Sequence, residues 1–310
     1  MSAVCAMGDQ GASRYLPKVN IFGHQVRFHQ RSQEIEEESD QAFLDEWPWP
    51  SKESRQKFID SKYGYCTVCS FPDILSERIR LVADMITLFF LLDDYIDECG
   101  NDELGSQIAA RFLGIFLRKH EPINDIERKC AQIWCKVETI APDHVEVMQR
   151  NLIGMYKNTR SNPGNVESFQ KYLQYRQLNG GYYWSMTILR MGMDIKLEDA
   201  EYDDIREIDS TVGTECILIN DIFSYRKEFR EGYASANSVE FLHRIEGLSR
   251  HEAWIKLAQI APTYFERYLG LKQQYIDSGR STEQGRKYVD SLSWLMAGHE
   301  YWSGLTGRYK

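Results

Sequence analysis

The sequence has no hydrophobic run long enough to cross a bilayer. The longest, Met85 to Leu92, is broken by Thr87 and closed by Asp93-Asp94, far short of the roughly 20 residues a spanning helix needs. A basic run is also missing. Lys+Arg 37 against Asp+Glu 46 leaves a net charge of −9, which argues against a nucleic-acid or anionic-membrane binder and means that an anionic substrate must arrive with cations. Met1 to Gln10 contains neither a basic segment nor an apolar core, so no secretory signal is expected. The seven cysteines, at 5, 66, 69, 99, 130, 135 and 216, are odd in number and irregular in spacing. That excludes a disulfide framework and fits a reducing cytosol. Cys66-x-x-Cys69 has no second pair at zinc-finger spacing, Cys130 and Cys135 being too far apart. No glycine-rich nucleotide fingerprint, internal repeat or low-complexity tract is present. Between Pro163 and Pro262 there is no proline, which leaves room for several unbroken helices.

What is present suits a large helical core: 43% of the 310 residues are hydrophobic and 13% aromatic. An all-α single domain is expected over 25–310, preceded by a loose arm at 1–24. The first amphipathic segment runs from Gln25 to Leu44, its acidic middle a solvated face. Trp47-Pro48-Trp49-Pro50 forces an extended link, and Ser51 caps a helix carrying Arg55, Phe58, Ile59 and Tyr63. A long helix opens after Phe71-Pro72, with Asp73 or Ser76 as its cap. Further helices are expected at Glu103–Lys119, Ile126–Thr139, His144–Asn158, Val166–Met191, Glu198–Asp209, Ser210–Phe229, Ser238–Ile245, Arg250–Tyr275 and Thr282–Leu305.

Three stretches carry chemistry. Asn220, Ser224 and Glu228 recur at i, i+4 and i+8, and a helix turning roughly 100° per residue keeps them in one stripe. Such stripes are usually solvated, but this one follows the apolar run Thr211 to Ile219, where buried polar groups need partners. An amide oxygen, a hydroxyl and a carboxylate are hard ligands that suit Mg²⁺ and leave positions open for water and phosphate. Asp93 and Asp97 also lie four apart, at the C-terminal end of the long helix where like charges and the dipole both call for a cation; Asp94 points about 100° away. Between these stripes lies Arg176, able to fork onto phosphate, followed by the helix-breaking Asn179-Gly180-Gly181. At the C-terminus Arg308 and Tyr309 can close over a bound anion. Two oxygen-rich helix ends suggest a bundle with an apolar cavity and ligands on opposite rims.

Asp93-Asp94-Tyr95-Ile96-Asp97 and Asn220 to Glu228 resemble the DDxxD and NDxxSxxKE motifs of class I terpene synthases, and Arg176 and Arg308-Tyr309 fall near that family's diphosphate sensor and C-terminal RY pair. The resemblance covers roughly Phe71 to Tyr309. It implies the microbial-type single-domain terpenoid fold, three Mg²⁺ and an isoprenoid diphosphate. Asp93 and Asp97 would hold two ions, and Asn220, Ser224 and Glu228 the third. Arg176, Lys227, Arg308 and Tyr309 would grip the diphosphate, with Asn179 as linker and the Gly180 carbonyl as effector. Departures are a slightly short spacing after Arg176 and His299 where many members carry asparagine. Phe89, Phe90, Tyr65, Trp184, Phe223 and Trp302 are candidates to face a hydrocarbon cation. The implied reaction is farnesyl diphosphate to a sesquiterpene. A geranylgeranyl diphosphate-using diterpene synthase, a chain-elongating prenyltransferase and a non-catalytic helical adaptor are the alternatives, and a homodimer is left open.

Overall fold

In the computed structural model the described residues are 18–99, 102–158, 166–179, 181–232 and 234–310. Among the described residues the regular structure is helical apart from one short antiparallel pair, β1 (Lys18–Val19) with β2 (Gln25–Val26). The helices are α1 (Ser32–Glu46), α2 (Lys52–Ser61), α3 (Tyr63–Ser70), α4 (Ile79–Asp97), α5 (Asp102–Phe116), α6 (Asp125–Ile140), α7 (Val145–Asn158), α8 (Phe169–Asn179), α9 (Tyr182–Met193), α10 (Asp199–Glu231), α11 (Ser238–Glu246), α12 (Arg250–Asp277) and α13 (Glu283–Leu305), followed by a 3-10 turn at Gly307–Tyr309. Among the described residues no helix is long and apolar enough to cross a membrane.

Several boundaries differ from expectation for identifiable reasons. Ser51 does cap α2, through a reciprocal box with Ser54, but the helix stops at Lys62, whose left-handed φ of 55° turns the chain so that Tyr63 starts α3. The long helix begins at Ile79, and neither expected cap serves it. Asp73 instead pairs with Arg27 and Ser76 accepts from Gln30. The Val166–Met191 helix is broken in two, because Gly181 at φ 73° precedes α9 in a conformation that only glycine adopts freely. Conversely, the two helices expected to meet at Asp209-Ser210 are one. Asp209, 1% exposed, is no cap: it accepts from Arg190 Nη1 at 3.1 Å and Tyr288 Oη at 2.7 Å.

The result is a 33-residue α10 that threads both apolar clusters. Its first half, with Ile205, Ile208, Val212 and Cys216, belongs to the larger core shared with α4 and α13. Its second half, with Leu218, Ile219, Ile222 and Tyr225, packs with α11 and α12. Helix α13 lies backbone to backbone on α3, since a Cβ at Gly298 would fall 2.1 Å from the Cys69 carbonyl oxygen. That contact sets the height of the C-terminal turn.

Of the expected loose arm, 1–17 lies outside the described residues, whereas Asn20 to His24 is pinned. Glu300, 0% exposed, accepts from the Asn20 amide and from Phe22 N at 3.1 Å, and His24 stacks on Phe265 with centroids 3.6 Å apart. Glu215 on α10 is buried close enough to repel it. Burial, with repulsion from Glu300 second, pushes the Glu215 carboxyl up to about 8, and burial pushes Glu300 to about 7 against the lowering effect of backbone hydrogen bonds from Phe22 and Ile21. Both folded-state values lie above those of the unfolded chain, so the native state binds more protons and stability must fall as pH rises through about 7 to 8. Glu215→Gln is expected to flatten that fall, read from urea unfolding midpoints at about pH 5 and about pH 8.5.

Candidate active site

Helix α4 is buried on every side from Leu81 to Leu88, then opens: Phe89 and Phe90 are half-buried, and Asp93 and Asp97 are exposed. Helix α10 repeats the pattern, buried from Thr211 to Ile219 and opening at Asn220, Phe223, Lys227 and Glu228. Both oxygen-bearing stripes therefore begin where a core helix emerges, as the apolar runs before them required.

The two stripes are joined by consecutive residues. Arg308 Nη1 donates to both Asp94 oxygens at 2.6 Å and to Tyr63 Oη at 2.7 Å, and its Nη2 lies 3.4 Å from Asp93 Oδ2. The next residue, Tyr309, accepts from Asn220 Nδ2 at 2.8 Å. Adjacent Cα atoms are only about 3.8 Å apart, so this dipeptide fixes the α4 end and the α10 end as two walls of one cleft. Charge agrees with distance. The Asp93 side chain is 60% exposed yet walled in at longer range, as on the side of an open cleft. Burial raises its carboxyl above the usual range, Arg308 and, across the cleft, Lys227 and Arg176 oppose that, and Asp94 reinforces it.

Behind Asn220 a polar frame holds the α10 stripe. Asp221, 0% exposed, accepts from Arg176 Nη2 at 2.8 Å on one oxygen and from Ser238 N at 2.8 Å and Ser238 Oγ at 2.5 Å on the other. Asn237 caps α11 through Val239 N and uses its amide donors on the Asp221 carbonyl at 3.0 Å and Glu228 Oε2 at 2.9 Å. Burial, and after it the Asp221 charge, raises the Glu228 carboxyl against the opposing influence of Ser224 and Asn237. Two walls thus carry carboxylates short of positive charge, and the α10 donors are all hard oxygens. Asn220, with its amide nitrogen on Tyr309, has its oxygen unengaged by any described residue. This donor set fits a hard divalent cation and offers nothing to a soft one. Among the described residues no three His, Cys, Asp or Glu converge, because the α10 set is built from an amide and a hydroxyl and Asp94 is turned onto Arg308.

The predicted residues are therefore placed as follows. Asp93, Arg308, Tyr309 and Asn220 are brought together, Ser224 and Glu228 continue the α10 stripe, and Arg176 meets it through Asp221. Asp97 stands one turn beyond Asp93 at the end of α4. Asn179 ends α8, and Gly180 lies outside the described residues. Phe90 stacks on Tyr63 (4.5 Å) and lies 5.3 Å from both Trp302 and the Arg308 guanidinium carbon; Phe89 is 4.7 Å from Trp184. Tyr65 is elsewhere, packed on Phe28 and Tyr301, and Phe223 lies near Gly304. Three contributors went unread in the sequence: Tyr63, Asp221 and Asn237. Asn237-Ser238 ahead of Val239 is a cap signal that could have marked the last.

A family model described as terpene synthase family 2, C-terminal metal binding, matches residues 84–264. Aristolochene synthase of Aspergillus terreus is 27% identical over 316 aligned residues, 97% of each chain. Among solved structures, aristolochene synthase from Penicillium roqueforti superposes with a TM-score of 0.79 at 22% identity, over 94% of this chain and 100% of that one. Germacradien-4-ol synthase from Streptomyces citricolor does so with 0.76 at 17%, over 91% and 96%. These likenesses establish the helical terpene synthase fold.

Removing Asp221 would leave Arg176 without its buried counter-ion and Ser238 without its acceptor. Asp221→Ala is expected to destabilise the protein by about 3–5 kcal/mol, measured by denaturant unfolding against the parent.

Proposed function

Because the chain belongs to terpene synthase family 2 and is a class I terpene cyclase, a lyase acting on an isoprenoid diphosphate, we propose that it converts farnesyl diphosphate to a sesquiterpene with Mg²⁺, three ions being held at the two walls of the cleft. The observation that carries this reading is the Arg308-Tyr309 bridge from Asp93 and Asp94 to Asn220. The similarity to sesquiterpene-forming relatives over nearly the whole chain supports the choice of farnesyl diphosphate.

Asp93 and Asp97 would hold metal on one wall, and Asn220, Ser224 and Glu228 on the other. Bound there, Mg²⁺ supplies Lewis-acid stabilisation of the departing diphosphate and cancels the local acidic field. Arg176, Lys227, Arg308 and Tyr309 supply the donors to its oxygens. Arg176 and Arg308 already stand in fixed orientations on Asp221 and Asp94, so little reorganisation accompanies charge development. Asn179 links α8 to the Gly180 carbonyl, the proposed effector toward the forming allyl cation. Phe89, Phe90, Trp184 and Trp302 wall the hydrocarbon away from water and present π faces to the cation.

Asp93→Ala and Asn220→Ala should each lower diphosphate release at least a hundredfold with unchanged circular dichroism, and chelation by EDTA should abolish it until Mg²⁺ is restored. Full activity in either variant would sink the assignment. Purified protein offered geranyl, farnesyl and geranylgeranyl diphosphate, with and without isopentenyl diphosphate, should give cyclic hydrocarbon only from farnesyl diphosphate. Hydrocarbon from the longest substrate would identify a diterpene synthase, lengthened diphosphates an elongase, and no turnover a non-catalytic protein.

A further inference from the structure

Helix α13 carries an imidazole with no structural employment. His299 is 8% exposed, its Nδ1 is sealed without a partner, and neither ring nitrogen bonds any described residue. A buried polar atom left so costs about 1–3 kcal/mol. His24 is the other imidazole in this condition among the described residues, but its Nδ1 has the Glu300 carboxylate 4.0 Å away. For His299 no charged group contributes, and two aromatic rings stand beside it. Its ring stands edge-on to Tyr182, centroids 6.0 Å apart, and 6.1 Å from Trp302, which is itself 5.3 Å from Phe90 and 5.8 Å from Tyr309.

These neighbours locate it. Tyr182 opens α9 directly after the turn at Gly181 and donates to the Cys216 carbonyl at 3.0 Å, one turn before Asn220. His299 therefore sits where α9, α10 and α13 meet, separated by the single ring of Trp302 from Tyr309 and from Phe90. Burial alone lowers its pKa to about 4, with no charged group contributing, so the ring is neutral, and with Nδ1 sealed it is Nε2 that can present a lone pair.

We propose that His299 accepts the proton that ends cyclisation. In this step a C–H bond next to the cationic carbon breaks, its electron pair becomes the alkene π bond, and the proton forms an N–H bond on the imidazole. The low basicity of the buried ring then lets it pass that proton to the released diphosphate, which carries it out. A cation is acidic enough to need only a weak base, so position decides which alkene forms. The inference rests on the cyclase reading above.

The test compares His299→Phe, which fills the space with a ring, and His299→Asn, which keeps a dipole, with the parent on farnesyl diphosphate and Mg²⁺. Diphosphate release is followed alongside product identity by gas chromatography and mass spectrometry. Both variants should lower the share of the parent's main hydrocarbon at least tenfold, in favour of isomeric alkenes or alcohols, while diphosphate release falls less than about fivefold. In His299→Gly, added imidazole should restore the main product and thiophene of the same size should not; this arm also covers a variant that folds poorly. Unchanged products in His299→Phe, or equal rescue by thiophene, would overturn the proposal. Absence of diphosphate release by the parent would instead remove the cyclase reading on which it stands.

Discussion

The site depends on placing one guanidinium against two carboxylates at the point where two core helices surface. Arg308 is largely buried, and a buried cation is tolerable only with counter-charge and full hydrogen bonding. Asp94 and Tyr63 provide both. Because Tyr309 follows in sequence and meets Asn220, satisfying Arg308 also sets the gap between the walls. The C-terminal turn is held in turn by Trp302 Nε1 and Thr306 Oγ1, which both donate to the Ser61 carbonyl, just before the left-handed turn at Lys62. The strain at Lys62 and the precision at Arg308 are two ends of one short path.

The helical class and the two oxygen-bearing stripes were legible because both follow from periodicity: apolar residues three and four apart make a core face, and oxygen-bearing residues four apart make a stripe. Boundaries were less so. Asp209-Ser210 reads as the start of a helix, but the same carboxylate serves equally as the buried counter-ion of Arg190, and only the partner's position in space distinguishes them. Gln25–Val26 fits a helical face, yet pairs as a strand because Asn20 and Phe22 are drawn to Glu300.

Within the site the same ambiguity recurs. Asp94 lies about 100° from Asp93 around the helix, and its carboxylate is taken up by Arg308. Asp221 stands between Asn220 and Ser224 without sharing their stripe, and its two oxygens orient Arg176 and start α11. Residues that bind a ligand directly leave a spacing signature along one helix. Those that hold them draw partners from distant parts of the chain, and these contacts have no period.

Asn237 illustrates what such framing entails. One amide serves two masters: its oxygen ends the backbone donors of α11, and its nitrogen steadies Glu228. Thermodynamic linkage is reciprocal, so occupancy at Glu228 and the firmness of the first turn of α11 belong to a single equilibrium. Whatever binds at Glu228 is thereby felt at the start of α11.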